Sequence, residues 1–417
     1  MAGGRGRRGG WVRTRLMPLV SRLAALAGLV VIGQFVAGRV LTDSVYWAQY
    51  LWWVPVLWTL LAAWGCWGVS ALAGRVSLRT GGLMLRPFVL IGCVALTGWV
   101  VFGEWHMHRA VVRPAQATRE HTLRVLHWNH SSQADIVGSA ALITAADPDI
   151  AVVVNVRNSD PRREIVGALL AMLAPPSEGT IRVLPNIEGP YQPGYVFGDW
   201  RVIVGSRERI LRAGVVSLKR VDEGESAWAT GGDAGVVVWC EIEAGERFAS
   251  LGRPLVVWVV DMPSDPSLSR ERVMAEARRA VDAWRSPAQE PTKGGWWRPV
   301  GDPVAVPPAD IVIGDFNTPR GSASLRELAP GMRDAYEEAG WGRARSWRQV
   351  RAAGPGTPGG PVVGRAVNRV TRLLLPLADW HIDLTLLGER WRATRYRLVR
   401  PPSGAHDVQV VDLVVRE

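Results

Sequence analysis

One short segment of this 417-residue chain places an acid and an amide where a buried strand would end. In Ile311-Val-Ile-Gly-Asp-Phe-Asn317, three apolar residues and a glycine precede Asp315, and Asn317 follows two positions later. Residues i and i+2 of an extended segment share one face. Such a pair can hold a divalent cation or its water while the amide donates to a phosphate oxygen. Asp315 and Asn317 are therefore candidate catalytic residues, although the pattern alone also occurs in simple turns.

Histidines and acids recur beside other predicted strand ends. His127 and His130 flank Asn129, His381 precedes Asp383, His406 precedes Asp407, and Asp261 follows an apolar run. Imidazoles and carboxylates gathered from such positions would bind a divalent ion such as Mn²⁺ or Zn²⁺. The alternative is that these histidines are ordinary loop-end residues that hydrogen-bond to the backbone.

Strand and helix patterns alternate from about residue 121 onward. Strands are predicted at 123–128, 150–154, 201–204, 215–218, 235–241, 254–260, 311–313, 382–387 and 408–415. A helix is predicted over 270–284 with Ser269 as its N-cap, and the Pro/Gly-rich segment 286–308 is predicted to be a surface loop. About ten strands with few helices between them favour two packed sheets. A doubly wound sheet would need regular crossover helices and a glycine fingerprint, which the sequence lacks.

Six blocks of the sequence, in order, resemble the endonuclease/exonuclease/phosphatase superfamily of deoxyribonuclease-like nucleases, inositol phosphatases and sphingomyelinases. The blocks are Leu123–Asn129, Asp147–Val154, Val202–Arg207, Ile311–Asn317, Ile382–Leu384 and Gly404–Asp407. The resemblance implies an α/β fold, a four-layer sandwich of two mixed β-sheets flanked by helices. It also implies a divalent-metal-dependent phosphoric ester hydrolase.

The resemblance assigns a role to each matching residue. Asp315 would position or activate the nucleophile, and Asp383 would orient an imidazole. His406 is a further catalytic candidate. Substrate contacts would fall to Asn129 and His130, and the remaining catalytic candidates would be Asn317, Asp261 and Asp407. The implied cofactor is a divalent metal, Mg²⁺ first and Mn²⁺ or Zn²⁺ as alternatives, with Asn129, Asn155, Asp315 and Asp407 as its ligands.

Three positions depart from the pattern of this superfamily. Asn155 stands where the family has its metal-binding glutamate, and an amide brings no charge, so the affinity for Mg²⁺ should fall. Asp261 falls near the family's mid-chain histidine. The closing Asp-His pair is inverted to His406-Asp407, and adjacent strand residues point to opposite faces unless a bulge intervenes. Either the site is rebuilt, or the chain is a catalytically degenerate member that binds a ligand or partner.

The first third of the chain has three apolar stretches that predict membrane helices. They are Leu23–Gly38, Tyr46–Ala73 and Pro87–Gly103, and with their flanks each reaches the roughly 20 residues that a bilayer needs. The alternative is a cleaved signal peptide followed by buried core helices. The predicted organisation is a basic cytoplasmic tail at 1–22, three transmembrane helices within 23–103, a tether at 104–120 and the domain at 121–417.

Arginine placement predicts the orientation in the membrane. Six arginines precede the first stretch and three lie between the second and third, whereas the first loop has only Arg39, offset by Asp43. The positive-inside rule then places the N-terminus in the cytoplasm and the domain on the extracytoplasmic face, consistent with a bacterial inner membrane.

The charge is concentrated in the membrane-associated part. Residues 1–120 hold 13 arginines against three acids, which accounts for +10 of the net charge of +11. Residues 121–417 are nearly neutral, which does not favour binding to long nucleic acid. An extracellular nuclease is therefore the third hypothesis, after the phosphoesterase and the degenerate family member. The expected partners are the lipid bilayer and a phosphoester substrate that is lipid-linked or small. Three cysteines exclude a disulfide scaffold.

Overall fold

The computed structural model describes residues 15–76, 84–112, 118–131, 136–156, 164–169, 172, 195–198, 201–218, 235–292, 297–348, 377–401 and 404–416. The chain forms two compact units. The first ends at Met107, and the second comprises His108–Ala353 and Asp379–Glu417. Most of the predicted basic tail lies outside the described residues.

The first unit is built from apolar helices. These are α1 (Met17–Leu41), α2 (Tyr46–Trp52), α3 (Val56–Val76) and α4 (Leu85–Trp99), with a π-helical turn at Val100–Glu104. Three of them, counting α4 with its turn, are long and apolar enough to cross a membrane. Large apolar side chains such as Val30, Leu72 and Ile91 point outward, as expected for helices that face lipid.

The second span is shorter than the sequence predicts. The uncharged stretch from Tyr46 does not form one helix. Helix α2 ends at Trp52, and α3 begins at Val56, directly after Pro55. Proline cannot donate to the preceding turn, but it suits the start of a helix.

The second unit contains two mixed sheets. The first sheet has the order β15-β16-β1-β2-β4-β3, with β1 (Leu123–Asn129), β2 (Ile150–Val154), β3 (Val196–Gly198), β4 (Val202–Ser206), β15 (Trp391–Val399) and β16 (Val408–Val415). The second sheet has the order β11-β14-β10-β7-β6-β5-β8-β9. Its strands are β5 (Ile210–Ser217), β6 (Val236–Ile242), β7 (Leu255–Asp261), β8 (Ser286–Pro291), β9 (Trp297–Val304), β10 (Ile311–Asp315), β11 (Arg333–Asp334) and β14 (Asp383–Leu387). A short ribbon pairs β12 (Trp347–Arg348) with β13 (Asp379–Trp380).

The central strands of the two sheets repeat one arrangement. In the first sheet β1 runs parallel to β2, and the pair is flanked by antiparallel β16 and β4. In the second sheet β10 runs parallel to β7, flanked by antiparallel β14 and β6. Each sheet therefore presents the carboxyl ends of two parallel strands at one edge.

Helices cover the outer faces of both sheets. Alternate strand residues such as Val152 and Ile313 form the core between the sheets. On the second sheet, α6 (Arg270–Ala283) packs over Trp258 and its neighbours. On the first, α5 (Ile136–Ala146) and a helical segment at 164–169 cover Trp128. The predicted four-layer sandwich is confirmed, as is the helix capped by Ser269, whose side chain accepts from the Arg272 N–H.

Two sequence predictions about the strands are wrong. The predicted loop at 286–308 contains the hairpin β8–β9. Pro299 and Pro303 lie in β9, an edge strand, and Pro287 and Pro291 lie in β8, whose pairing with β5 is at Ala213 and Gln289, so their missing N–H groups break no ladder on that side. Strand β15 was not predicted, and it pairs with β16 along nearly its full length. Its charged residues alternate irregularly, and a register shift after Ala393 disturbs the period of two.

Candidate active site

Four strands place polar residues at the same end of the core between the sheets. Alternate residues of each strand face the core between the sheets. On β7 the buried Val257 and Val259 are followed by Asp261, and on β10 Ile311 and Ile313 are followed by Asp315. On β1 the buried Val125 is followed by His127 and Asn129. Asp383 opens β14, whose inward row ends at Leu387. The aliphatic core therefore becomes polar at one edge, where the predicted site residues meet.

Three carboxylates lie in a row across adjacent strands. Asp315 is the cross-strand partner of Asp261 on β7 and of Asp383 on β14. All three are almost fully buried. Like charges directly opposite each other destabilise a sheet, so this row needs positive charge and hydrogen-bond donors around it.

Gly314 allows the row to form. Its φ is 151°, and a Cβ built there would lie 1.9 Å from the carbonyl oxygen of Val260. Any side chain would push β7 and β10 apart at the point where Asp261 and Asp315 are paired. The glycine of the Gly-Asp-x-Asn motif is thus required by the close approach of two strands.

Two asparagines from the first sheet donate to the carboxylate row. Asn129 Nδ2 donates to Asp315 Oδ2 at 2.6 Å, and Asn155 Nδ2 donates to Asp261 Oδ1 at 3.1 Å. Asn155 Nδ2 also lies 3.3 Å from Asn129 Oδ1. The predicted metal ligands Asn129 and Asn155 therefore form a neutral amide pair that binds the carboxylates directly.

Left-handed backbone aims the residues that follow the strands. Asn155 has φ of 58° and Asn317 has φ of 47°, a region in which asparagine is enriched. Strict alternation after Val154 would point residue 155 away from the inter-sheet core, and the turn brings it back. The backbone N–H of Asn317 donates to Asp315 Oδ1 at 2.9 Å, while its amide donates to the Met262 carbonyl at 2.8 Å. Asn317 thus fixes the turn after β10.

His406 forms a buried dyad with Asp383. Its Nδ1 lies 2.8 Å from Asp383 Oδ2, despite the inverted order of His406-Asp407 in the sequence. The segment at β12 holds both partners, because Ser346 Oγ accepts from the Asp383 N–H at 2.8 Å and Trp347 forms a β-bridge with His406. His127 Nδ1 lies 3.9 Å from the other oxygen of Asp383.

The electrostatics of the dyad favour an ion pair. Burial alone would raise the pKa of Asp383, but the charge and hydrogen bond of His406 hold it below its usual value. Burial alone would lower the pKa of His406, but Asp383 raises it. Burial and the neighbouring Asp383 raise the pKa of Asp315 to about 8, against the opposing effect of His406. Asp315 is thus poised to exchange a proton near neutral pH.

A buried arginine adds a second cation that the sequence did not single out. Arg201, directly before β4, places Nη1 3.7 Å from Asp261 Oδ2, and both side chains are buried. The only signal in the sequence is a charged residue directly before an apolar strand. Exposed strand starts carry such residues just as often, so the pattern does not identify a site residue.

Two predicted site residues have their described contacts elsewhere. Asp407 Oδ2 lies 3.9 Å from Arg345 Nε, and the Asp407 N–H donates to the Ser346 carbonyl. His130 lies against Trp128 and near Ser139, and burial lowers its pKa. Asp407 is a neighbour of His406 on an extended segment, so the two side chains diverge. His130 follows Asn129 and diverges from it for the same reason.

His381 also lies apart from the dyad. Its Nε2 is 2.7 Å from the Tyr396 hydroxyl oxygen, and its ring contacts Tyr336. Burial, with the nearby Arg320, lowers its pKa to about 3. It is therefore a neutral core histidine, as the alternative reading of the sequence allowed.

Among the described histidines, cysteines and acids, one group at the Asp383 end of the carboxylate row could hold a divalent cation. Asp315, Asp383 and His406 each offer a ligand atom, and these atoms lie within 4.8 Å of one another. Two carboxylates and an imidazole suit Mn²⁺ or Zn²⁺. Of the predicted metal ligands, Asn129, Asn155 and Asp315 lie together at the row, whereas Asp407 Oδ2 lies 3.9 Å from Arg345 Nε.

The second unit has the architecture of the endonuclease/exonuclease/phosphatase fold. Two mixed sheets stacked face to face, with helices on both outer surfaces, are the arrangement that the six sequence blocks predict. The predicted resemblance is thereby confirmed at the level of the fold.

Comparisons with known proteins found similar chains among solved structures alone. No protein-family model and no curated protein matches the sequence. Among solved structures, the chain is similar to an endonuclease/exonuclease/phosphatase from Beutenbergia cavernae, with 16% identity over 71% of this chain and 72% of that chain and a TM-score of 0.42. It is also similar to a family protein from Bacteroides thetaiotaomicron, with 13% identity, 71% and 95% coverage and a TM-score of 0.38.

A further similar structure is the inositol polyphosphate 5-phosphatase domain of a synaptojanin, solved with inositol (1,4)-bisphosphate and a calcium ion. It has 10% identity, covers 70% of this chain and 86% of that chain, and has a TM-score of 0.40.

Proposed function

We propose that this protein is a membrane-anchored phosphoesterase that hydrolyses a phosphate mono- or diester with the help of a divalent cation. One observation carries the proposal: Asp315, Asp383 and His406, from distant parts of the chain, converge with Asn129 at the polar edge of the inter-sheet core. Buried carboxylates are costly to a fold unless they are paired. Perturbed acids clustered with a charged imidazole are typical of catalytic sites.

The geometry supports a division of labour among these residues. Asp315, held by donors from Asn129 and the Asn317 N–H, would orient the attacking water and accept its proton. Asp383 holds the His406 ring through Nδ1, which leaves Nε2 to contact the phosphoryl oxygens or the leaving group. A divalent cation held by the carboxylates of Asp315 and Asp383 would neutralise charge on the phosphoryl group, while His406 Nε2 stays available to the substrate.

The membrane anchor and the charge distribution narrow the substrate. The three apolar helices support anchoring, and residues 121–417 are close to neutral. We therefore favour a lipid-linked or small phosphoester over long nucleic acid, with the domain on the extracytoplasmic face of a bacterial inner membrane. Reporter fusions after Gly103 test the orientation: activity of a reporter that works only in the cytoplasm would contradict it. Salt-dependent binding of duplex DNA would instead support the nuclease reading.

Hydrolysis by the full-length protein in detergent tests the activity. Bis-p-nitrophenyl phosphate and lipid pyrophosphates are assayed after chelation, and again after addition of Mg²⁺, Mn²⁺ or Zn²⁺. We expect metal-dependent turnover that Asp315→Asn removes. The matched control is Asp310→Asn, because Asp310 is a buried acid just before the other end of β10, paired with Arg253 and remote from the row. Turnover that survives Asp315→Asn would refute the assignment.

A second function is favoured by one specific feature. The amide at Asn155 replaces the charged metal ligand that the family resemblance implies. Its Nδ2 donates to Asn129 Oδ1 and Asp261 Oδ1. A degenerate member would bind a phosphorylated ligand or a partner through the same pocket without turnover. Absence of hydrolysis with all three metals, together with saturable binding of a phosphoester, would favour this alternative.

A further inference from the structure

A buried cation lies at the end of the carboxylate row that the proposed mechanism does not use. Arg201 is 5% exposed and Asp261 is 3% exposed. Their side chains form an ion pair in which Arg201 Nη1 lies 3.7 Å from Asp261 Oδ2. A buried guanidinium must be paired to be tolerated, so Arg201 and Asp261 belong to one electrostatic unit.

The row is compensated in the same way at both ends. Arg201 faces Asp261 at one end, and His406 faces Asp383 at 2.8 Å at the other, with Asp315 between them. One flank therefore carries a permanent cation from the protein, because arginine does not lose its charge in proteins. The other flank carries the three ligand atoms that fit a divalent ion.

Position 155 is tied to Arg201 by contact. The backbone N–H of Asn155 donates to the Arg201 carbonyl at 2.8 Å, and the Asn155 side chain donates to the same carboxylate that Arg201 pairs with. A dication placed at Asn155 would share that carboxylate with a guanidinium and would be repelled by it. A neutral amide at 155 and an arginine at 201 are thus mutually consistent.

We propose that Arg201 is a positioning residue that supplies the positive charge at the Asn155 end of the site, in place of a second divalent cation. The site would then take a divalent ion only at the end of the row formed by Asp315 and Asp383, beside His406. The inference rests on the proposed function for the purpose of the site, but the distribution of cations can be measured without turnover.

The test uses the full-length protein in detergent and Mn²⁺ alone as the probe. Isothermal titration calorimetry compares wild type, Asn155→Asp, Arg201→Gln and the double variant. Asn155→Asp is isosteric, and aspartate tolerates the left-handed backbone at this position. We expect Asn155→Asp alone to change Mn²⁺ binding little, because Arg201 neutralises the new carboxylate. The double variant should gain a site or bind at least about tenfold more tightly.

Two outcomes would overturn the proposal. If Asn155→Asp alone gains Mn²⁺ as strongly as the double variant, Arg201 does not hold that charge. If neither gains Mn²⁺, the Asn155 end is not a cation position. Asp383→Asn in the otherwise wild-type protein separately tests the cation position beside His406, and it should lose Mn²⁺ binding. If it does not, the proposed function fails at that position, and this failure is distinguishable from a failure of the proposal about Arg201.

A stability control guards against misfolding. Arg201→Gln removes the guanidinium that lies 3.7 Å from the buried Asp261 carboxylate, so the melting temperature of the variant should fall clearly below that of wild type. Arg201→Gln combined with Asp261→Asn removes both charges and should recover most of that loss. A melting temperature of Arg201→Gln equal to that of wild type would show that Asp261 does not depend on Arg201, and would also overturn the proposal.

Discussion

The two sheets of the sandwich share one arrangement of central strands but carry different chemistry at the same edge. In the first sheet, the parallel pair β1 and β2 leads to the amides Asn129 and Asn155. In the second, the parallel pair β7 and β10 ends in the carboxylates Asp261 and Asp315, with Asp383 beside them. The half from the first sheet, the amide half, donates hydrogen bonds and adds the cation Arg201, whereas the half from the second sheet, the carboxylate half, is negatively charged and accepts them.

This difference shows that topology sets the place of the site while the residues set its chemistry. Both halves deliver parallel-strand ends to one edge, as expected when ligands bind at the carboxyl ends of strands. The amide half could not hold a metal cation by itself, because Asn129 and Asn155 supply no negative charge. The carboxylate half could not form by itself, because a row of buried acids needs the donors and cations that face it.

The largest expected effect is on the backbone of the carboxylate half. Gly314→Ala should lower the free energy of unfolding by roughly 4 kcal/mol or more, because a Cβ would strike the Val260 carbonyl and the φ is unfavourable. Chemical denaturation of the full-length protein measures it. Gly331→Ala is the matched control, with φ of 76° and no atom within 4 Å of the new Cβ, and it should cost only about 1 kcal/mol. Equal losses would mean that strand approach is not the reason for Gly314.

The next effect is on catalysis in the dyad of the carboxylate half. His406→Gln should reduce the rate of phosphoester hydrolysis by about 10²–10⁴-fold, since acid–base groups contribute on that scale. His381→Gln is the control: this histidine is equally buried but pairs with Tyr396 and lies apart from the dyad. Steady-state rates decide the matter. Similar losses in both variants would assign the effect to packing.

A smaller effect concerns the one histidine of the amide half that faces the row. Burial lowers the pKa of His127 from 6.5 to about 4, against the pull of Asp383. A folded-state pKa below the unfolded value means that stability is complete above pH 6.5 and is lost as the pH falls toward 4. The loss amounts to roughly 3 kcal/mol for this group. Unfolding measured at pH 7 and pH 4 should show a smaller difference in His127→Gln than in wild type, whereas the exposed His121→Gln should behave as wild type does.

The smallest effect separates the two asparagines of the amide half. Asn129 donates directly to Asp315, so its hydrogen bond favours the ionised acid. Asn129→Ala should raise the pKa of Asp315 further and move the alkaline rise of the pH–rate profile upward by about one unit. Asn155→Ala should shift the profile less, because Asn155 donates to Asp261 instead. An equal shift in both variants would contradict the direct role of Asn129.

The sequence determined the buried strands and most of the residues that meet at their ends. Apolar runs such as Ile311–Ile313 have no stable place except a core, and the acid after such a run must lie at the strand end. The apolar composition of the first unit likewise predicted three helices long enough to cross a bilayer, and the structure has them. This reasoning failed at 286–308, where the prolines predicted a loop and the structure has a hairpin. Proline is tolerated in a strand where its missing N–H breaks no pairing, and the sequence does not show where in a sheet a strand will lie.

Only the tertiary structure decided which side chains of the site contact one another. Which residue of His406-Asp407 meets Asp383 depends on the ribbon at β12, and the return of Asn155 toward the core depends on a left-handed turn. The pairing of Arg201 with Asp261 joins residues that are distant in sequence and has no local signature. Strand patterns are local and repeat every two residues, so the sequence reveals them directly. Long-range pairing of buried charges depends on register and on layer stacking, which no local pattern encodes.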